Sequence, residues 1–286
     1  MDEWLKAVFG DQLSNLVEEK LSEFECRLAI EVQSLRYPLF RDPLAYAMEG
    51  GKRLRPLMLL FASEVLGKPQ VDPYPAAIAV EVLHCESLIH DDLIDGELSR
   101  RGKRPFYLKF GPHVTLLSAD FALGLTMDLL LRYRPSLGWL LAKELSKAVM
   151  EMCEGEMLEV RLIEEGVGGR RRYLDVIKLK TAPLFRAAAK LGGLIATGGK
   201  RNRVVKSLAK YGQLVGMAYQ VKDDLLDVEE GEDTPLRLCS TNDLNILRRL
   251  AVDLARKARR ALEPLSESPA KEVLRRIAEV AVKRMA

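Results

Sequence analysis

Two acidic clusters stand out along the 286-residue chain, Asp91-Asp92-Leu93-Ile94-Asp95 and Asp223-Asp224-Leu225-Leu226-Asp227. Both have the form Asp-Asp-x-x-Asp, and each follows an apolar stretch with helical periodicity. At about 3.6 residues per turn, side chains at i and i+4 stack on one face, which sets Asp91 over Asp95 and Asp223 over Asp227. Like charges at that spacing destabilise a bare helix by roughly a few tenths of a kcal/mol per pair. Two such pairs set among Leu, Ile and Val point to a compensating cation. Hard divalent ions such as Mg2+ take oxygen ligands and commonly join one or two carboxylates to a substrate phosphate.

Cationic and polar residues accompany the acids. Gly50-Gly51-Lys52-Arg53-Leu54-Arg55-Pro56 pairs glycines, which allow close backbone approach, with clustered cations, but lacks the Gly-Lys-Ser/Thr of a P-loop. Arg100-Arg101-Gly102-Lys103-Arg104 follows Asp95, and guanidinium groups bind phosphate oxygens bidentately. Lys180-Thr181 ends an apolar and basic stretch, and Tyr219-Gln220-Val221-Lys222 leads into Asp223. His84 lies seven residues before Asp91, on the same face, and His90 adjoins it. Each has a plainer reading when taken alone: a basic loop before a helix, a solvated turn, a snorkelling lysine, a surface glutamine, ordinary histidines. Taken together, carboxylate pairs and cationic patches imply diphosphate chemistry. An interior rich in Leu, Ile, Val and Ala implies that the rest of the substrate is apolar. No zinc-type His/Cys spacing and no Gly-x-Ser-x-Gly nucleophile elbow occurs.

These residues must be held by helices. Helical periodicity runs through 11–33, 54–66, 76–95, 113–132, 137–164, 171–196, 202–228, 241–263 and 268–285, with Gly and Pro breakers between them. No alternating run reads as a sheet. The expectation is one all-α domain over residues 1–286, roughly nine to eleven helices in an orthogonal bundle around a central cavity, with the two acidic helices facing each other.

With 48% hydrophobic and 30% charged residues, the chain is globular and long enough for a large core. A net charge of +3 is too slight to argue for nucleic acid. Cys26, Cys85, Cys153 and Cys239 have no metal-type spacing and read as reduced thiols of a cytoplasmic protein. The first residues lack a secretory pattern. No run of about 18 uncharged apolar residues occurs, so no transmembrane segment is expected.

The motifs from Gly50 to about Asp227, in this order, resemble those of the trans-isoprenyl diphosphate synthases of the polyprenyl synthetase family. The two-residue gap inside the first acidic motif is similar to that of archaeal and long-chain-like members. The resemblance implies an isoprenoid synthase-like helix bundle that forms a homodimer. It implies Mg2+-dependent head-to-tail condensation of isopentenyl diphosphate with an allylic prenyl diphosphate, giving a C20 product first and C15 next. Asp91 and Asp95 would hold two Mg2+ ions, and Asp223 a third with Asp227 through water, while Asp92 and Asp224 tune that shell. Arg100, Lys180 and Gln220 would complete the clamp on the allylic diphosphate. Lys52, Arg55, His84 and Arg101 would bind isopentenyl diphosphate, and Thr181 would lie near the reacting carbons. The residue five before the first aspartate walls the growing chain in this family. Here it is Glu86, followed by Ser87, with Leu83 one turn deeper. A charge against hydrocarbon is costly unless paired, so Glu86 is expected to be paired or to face a subunit interface.

The chain also departs from the family pattern. Lys103-Arg104-Pro105-Phe106 stands where Pro-Thr or Pro-Ser is usual, and Gly155-Glu156-Met157-Leu158-Glu159 where Gly-Gln-x-x-Asp is usual. The lysine loop after the second acidic motif is absent, with Arg237 at the spacing of its first lysine. The missing lysine loop and Glu86 leave open a catalytically weak regulatory subunit of a heteromeric synthase. A class I terpene cyclase would share the metal chemistry, but it has no need of Lys52, Arg55 and Arg101.

Overall fold

Proline opens five of the helices, in the first turn where the missing N–H has no partner to lose. The computed structural model describes residues 6, 8–96, 98–99, 102–230 and 239–282. In chain order the helices are α1 (Asp11–Gln33), α2 (Arg41–Ala47), α3 (Leu54–Ser63), α4 (Tyr74–Ile94), α5 (Phe106–Phe110) and α6 (Pro112–Leu131). They continue as α7 (Pro135–Glu164), α8 (Arg170–Lys180), α9 (Ala182–Ala196), α10 (Arg203–Glu230), α11 (Thr241–Ala261) and α12 (Pro269–Val280). A 3-10 turn, Pro38–Phe40, precedes α2. Among the described residues no strand forms, only an isolated bridge between Val65 and Gly67. The chain is all-α, as its periodicity requires.

α9 is the hub. It packs on α3, α7 and α10, and its apolar residues enter both large cores. One core gathers Phe24, Leu60, Leu83, Leu129, Leu145 and Leu191 from α1, α3, α4, α6, α7 and α9. The other joins Leu57, Phe185, Tyr211, Ala258 and Leu274 from α3, α9, α10, α11 and α12. A smaller cluster of Tyr173, Ile177, Val221, Leu225 and Leu247 fixes α8 against α10 and α11. The acidic helix α4 is thereby anchored in the first core and α10 chiefly in the second.

One expectation is corrected. The stretch 171–196 is two helices, broken between Lys180 and Ala182. Pro183 lies two residues past the break; its ring removes an N–H and would collide with the carbonyl of Leu179 in a continuous helix. Ser240 and Ser268, by contrast, accept the N–H of Asp243 and Lys271 as ordinary N-caps. α6 is long and apolar enough to cross a membrane by length and composition only, with a mean hydropathy of 1.6 over its most apolar window. It carries Asp120 and Asp128 on its exposed side and packs on α4 and α7.

Candidate active site

Both acidic clusters lie towards the C-terminal ends of their helices. Asp95 caps α4, its backbone N–H bonded to the carbonyl of Asp91 at 2.8 Å, so the two side chains occupy one face of the last turn. Asp223 and Asp227 occupy the last turns of α10. The negative end of a helix dipole disfavours carboxylates, which sharpens the demand for cations. Asp95 and Asp223 are exposed, Asp91 and Asp227 half-buried, and Asp92 and Asp224 buried. Each cluster thus turns its first and last aspartate outward and its middle one in.

The break between α8 and α9 bridges the clusters. Lys180, at the end of α8, is ion-paired with Glu159 and, at 2.7 Å, with Glu156, both on α7. Burial pushes its ammonium towards neutrality, but Glu159, Asp91 and Glu156 outweigh that and hold the proton tightly. Burial raises the pKa of Glu159, Lys180 opposes the rise, and Glu156 and Asp95 add to it. Lys180 is therefore within electrostatic reach of Asp91, and Glu159 of Asp95. The next residue, Thr181, donates its hydroxyl to Gln220 Oε1 at 2.8 Å, and Gln220 Nε2 donates to Asp224 Oδ1 at 2.8 Å. Tyr173 Oη donates to the other Asp224 oxygen at 2.5 Å. Burial raises the Asp224 pKa to about 7, against the pull of those two hydrogen bonds. One peptide step thus joins the surroundings of the first cluster to those of the second.

Gly155 makes the junction possible. A Cβ there would lie 2.3 Å from the backbone nitrogen of Lys180, so only glycine lets α7 approach this closely. Glu156 and Glu159 then fall one and four residues along α7, on the face turned to Lys180. Sequence reasoning noted both as departures and missed their pairing. Tyr173 was missed entirely; its sole signal was a tyrosine two turns before Lys180.

The basic loop connects to α10 through Phe185. The Arg55 guanidinium lies over the Phe185 ring, 4.2 Å from its centroid, and Phe185 neighbours Tyr219 at 5.7 Å between centroids. Lys52 is exposed and His84 half-buried. Arg100, Arg101 and Arg237 lie outside the described residues. Along α4, Leu83 is fully buried and Ser87 donates to the His84 carbonyl at 2.8 Å. Glu86 is mostly buried and meets His90 Nδ1 at 3.0 Å, the pairing its charge requires; that hydrogen bond raises the His90 pKa.

Among the described residues no set of three or more His, Cys, Asp or Glu side chains is arranged to hold a metal by itself. The donors come instead as separated carboxylate pairs. That suits hard cations whose remaining ligands are water and diphosphate oxygens.

Residues 37–244 match the polyprenyl synthetase family. A geranylgeranyl diphosphate synthase of Methanosarcina mazei is 36% identical over 186 residues, 64% of this chain and 57% of that protein. This chain therefore spans little more than half the length of that relative. A geranylfarnesyl diphosphate synthase of the same organism is 34% identical over 245 residues, 80% of each chain. The solved structure of a Caulobacter crescentus CB15 polyprenyl synthase, complexed with calcium and isoprenyl diphosphate, superposes with a TM-score of 0.81. It is 28% identical and covers 96% of this chain and 98% of its own.

Proposed function

This chain belongs to the polyprenyl synthetase family, and on that premise we propose that it condenses isopentenyl diphosphate head-to-tail with an allylic diphosphate. The product is a short trans-prenyl diphosphate, C20 ahead of C15. The observation that carries the reading is the Lys180-Thr181 step, which connects the first acidic cluster to the second through Gln220 and Asp224. The names of the Methanosarcina mazei relatives favour a short product.

The aspartates fit Mg2+. Asp91 and Asp95 would hold two ions and Asp223 a third, with Asp227 through water. Both oxygens of Asp224 are engaged by Tyr173 and Gln220, which suits Asp224 to orienting Asp223 rather than binding metal directly; buried Asp92 suits the same task. Mg2+ bound there would neutralise charge developing on the leaving diphosphate. The calcium and isoprenyl diphosphate bound by the Caulobacter crescentus protein support a divalent cation and a diphosphate as the ligands here.

The chain's own groups do the rest. Lys180, Gln220 and Arg100 grip the allylic diphosphate, so the allylic C–O bond breaks with its electron pair leaving on oxygen. Lys52, Arg55, His84 and Arg101 hold isopentenyl diphosphate with its double bond against the allylic carbon. The double bond attacks, a C–C bond forms, and a proton passes to the departing diphosphate. Thr181 lines the reacting carbons, and the apolar interior excludes the water that would quench the cation. Leu83, Glu86 and Ser87 wall the growing chain, with Glu86 neutralised by His90.

The whole chain, residues 1–286, would act as one such domain, in the cytoplasm and as a homodimer. The dimer is supported by α6, which exposes Leu116, Leu117 and Leu131, and by α7, which exposes Trp139, Met150 and Met157. Incubation with labelled isopentenyl diphosphate, Mg2+ and each of dimethylallyl, geranyl and farnesyl diphosphate should yield an EDTA-sensitive extended product. Mass spectrometry of the dephosphorylated product gives its length. Absence of any extended product rejects the reading.

A further inference from the structure

The cation between Lys52 and Arg55 does a different job from its neighbours. Lys52 is exposed, whereas Arg53 is only 6% exposed. Its Nε and Nη2 bond both oxygens of Glu25 on α1, at 2.7 and 3.3 Å. Its Nη1 bonds Glu81 on α4 at 2.6 Å, and Nη2 also donates to the carbonyl of Met48, which caps α2. Its own carbonyl accepts the Leu57 N–H at 3.0 Å, so Arg53 is also the N-cap of α3. One residue therefore ties together the ends or faces of four helices, three through its side chain and one through its carbonyl.

The backbone here is unusual too. Gly50 and Gly51 have φ of +79° and +94°, and Arg53 itself has φ of +49°, the one non-glycine residue with positive φ among those described. A left-handed non-glycine residue persists only where its surroundings over-determine it. Here the surroundings are two carboxylates and a helix-end carbonyl, one of those carboxylates, Glu81, being itself buried. Glu81 stands three residues before His84 on α4, one helical turn away on the same side. The guanidinium thus fixes the register between the basic loop and the helix that carries His84.

We propose that Arg53 is a positioning residue: it locks the turn that sets Lys52 and Arg55 against His84, so that the three act as one diphosphate-binding set. The inference rests on the assignment of that set to isopentenyl diphosphate. A lysine at 53 keeps the charge but cannot reach three partners in a planar fork. Arg53 touches neither substrate nor the reacting atoms.

The test is calorimetric titration of isopentenyl diphosphate into wild type, Arg53→Lys and Glu25→Gln, with KM measured for both substrates. Arg53→Lys should weaken isopentenyl diphosphate binding about tenfold, and Glu25→Gln, at a half-exposed carboxylate, about threefold. In both, the KM for the allylic diphosphate should stay within about twofold. If Arg53→Lys does not fold, the Glu25→Gln shift decides. Variants that bind isopentenyl diphosphate as well as wild type overturn the inference, as do variants whose two KM values rise together, because that is a general loosening of the scaffold. A wild type that does not bind isopentenyl diphosphate removes the functional reading and this inference with it.

Discussion

The Thr181 hydroxyl donates to the Gln220 side-chain carbonyl at 2.8 Å. Thr181 sits in the gap between α8 and α9, next to a lysine within electrostatic reach of Asp91, while Gln220 precedes Asp223 by one turn of α10. This contact carries the spatial relation between the two acidic clusters, which lie 132 residues apart from Asp91 to Asp223 (223 − 91).

Thr181→Val keeps the volume and removes the donor. Turnover of the allylic diphosphate should fall about 10- to 100-fold, since small misplacements of positioning groups are amplified in the rate. Thermal stability should change by only about 1 kcal/mol, the ordinary worth of one hydrogen bond. Thr181→Ser should recover most of the rate. Steady-state kinetics beside thermal melts check both, and equal turnover in Thr181→Val would separate the contact from catalysis.

Asp91→Ala removes half of the first carboxylate pair. Turnover should drop by at least about 100-fold, with the far-ultraviolet circular dichroism of the bundle retained. The half-buried Asp91 stands on the last turn of α4, where loss of a negative charge eases the helix dipole. Near-normal turnover would contradict a ligand role there.

Gly155→Ala tests the approach of α7 to the helix break. The added methyl would sit 2.3 Å from the Lys180 nitrogen and 2.6 Å from the Leu179 carbonyl carbon, so backbone must move. Overpacking of this kind costs about 1–3 kcal/mol. Displacement of Lys180 should also raise the KM for the allylic diphosphate. A variant as stable as wild type would mean that α7 retreats freely.

Acid stability should depend on Glu267, far from the site. Arg275 grips it with two hydrogen bonds, at 2.7 and 2.8 Å, and the buried Lys271 adds a third at 2.7 Å. Those bonds, Arg275 first, lower its pKa from 4.5 to about 2. A carboxyl depressed on folding leaves the unfolded chain binding more protons in that window. Its contribution is therefore complete above pH 4.5 and is lost as the pH falls towards about 2. Glu267→Gln should flatten the fall in melting temperature across that window at low salt; superimposable acid limbs would count against the pairing.

Much of the fold was legible because helical burial leaves a period of 3.6 in any sequence that adopts it. The stretch 11–33 reads the same in sequence and structure, and α10 differs from its expected span by one or two residues. The break at Thr181 was not read. Its agent, Pro183, stands inside an apolar run whose periodicity continues unbroken across it, and a proline in the first turn of a new helix looks the same as one within a long helix. Charge alone left Glu86 either a partner or a subunit interface, and the fold sets it against His90.

The chain alone determined the chemistry available: paired carboxylates at i and i+4, clustered cations, an apolar interior and the order of these along the polymer. Those follow from residue type and from the repeat of a single helix, both local properties. Only the folded bundle decided which groups meet. Lys180 with Glu156 and Glu159, Tyr173 with Asp224, and Arg53 with Glu25 and Glu81 are contacts across 21 to 51 residues. They arise because close packing of the helices brings buried polar groups together, and each such group must then find a partner or remain costly.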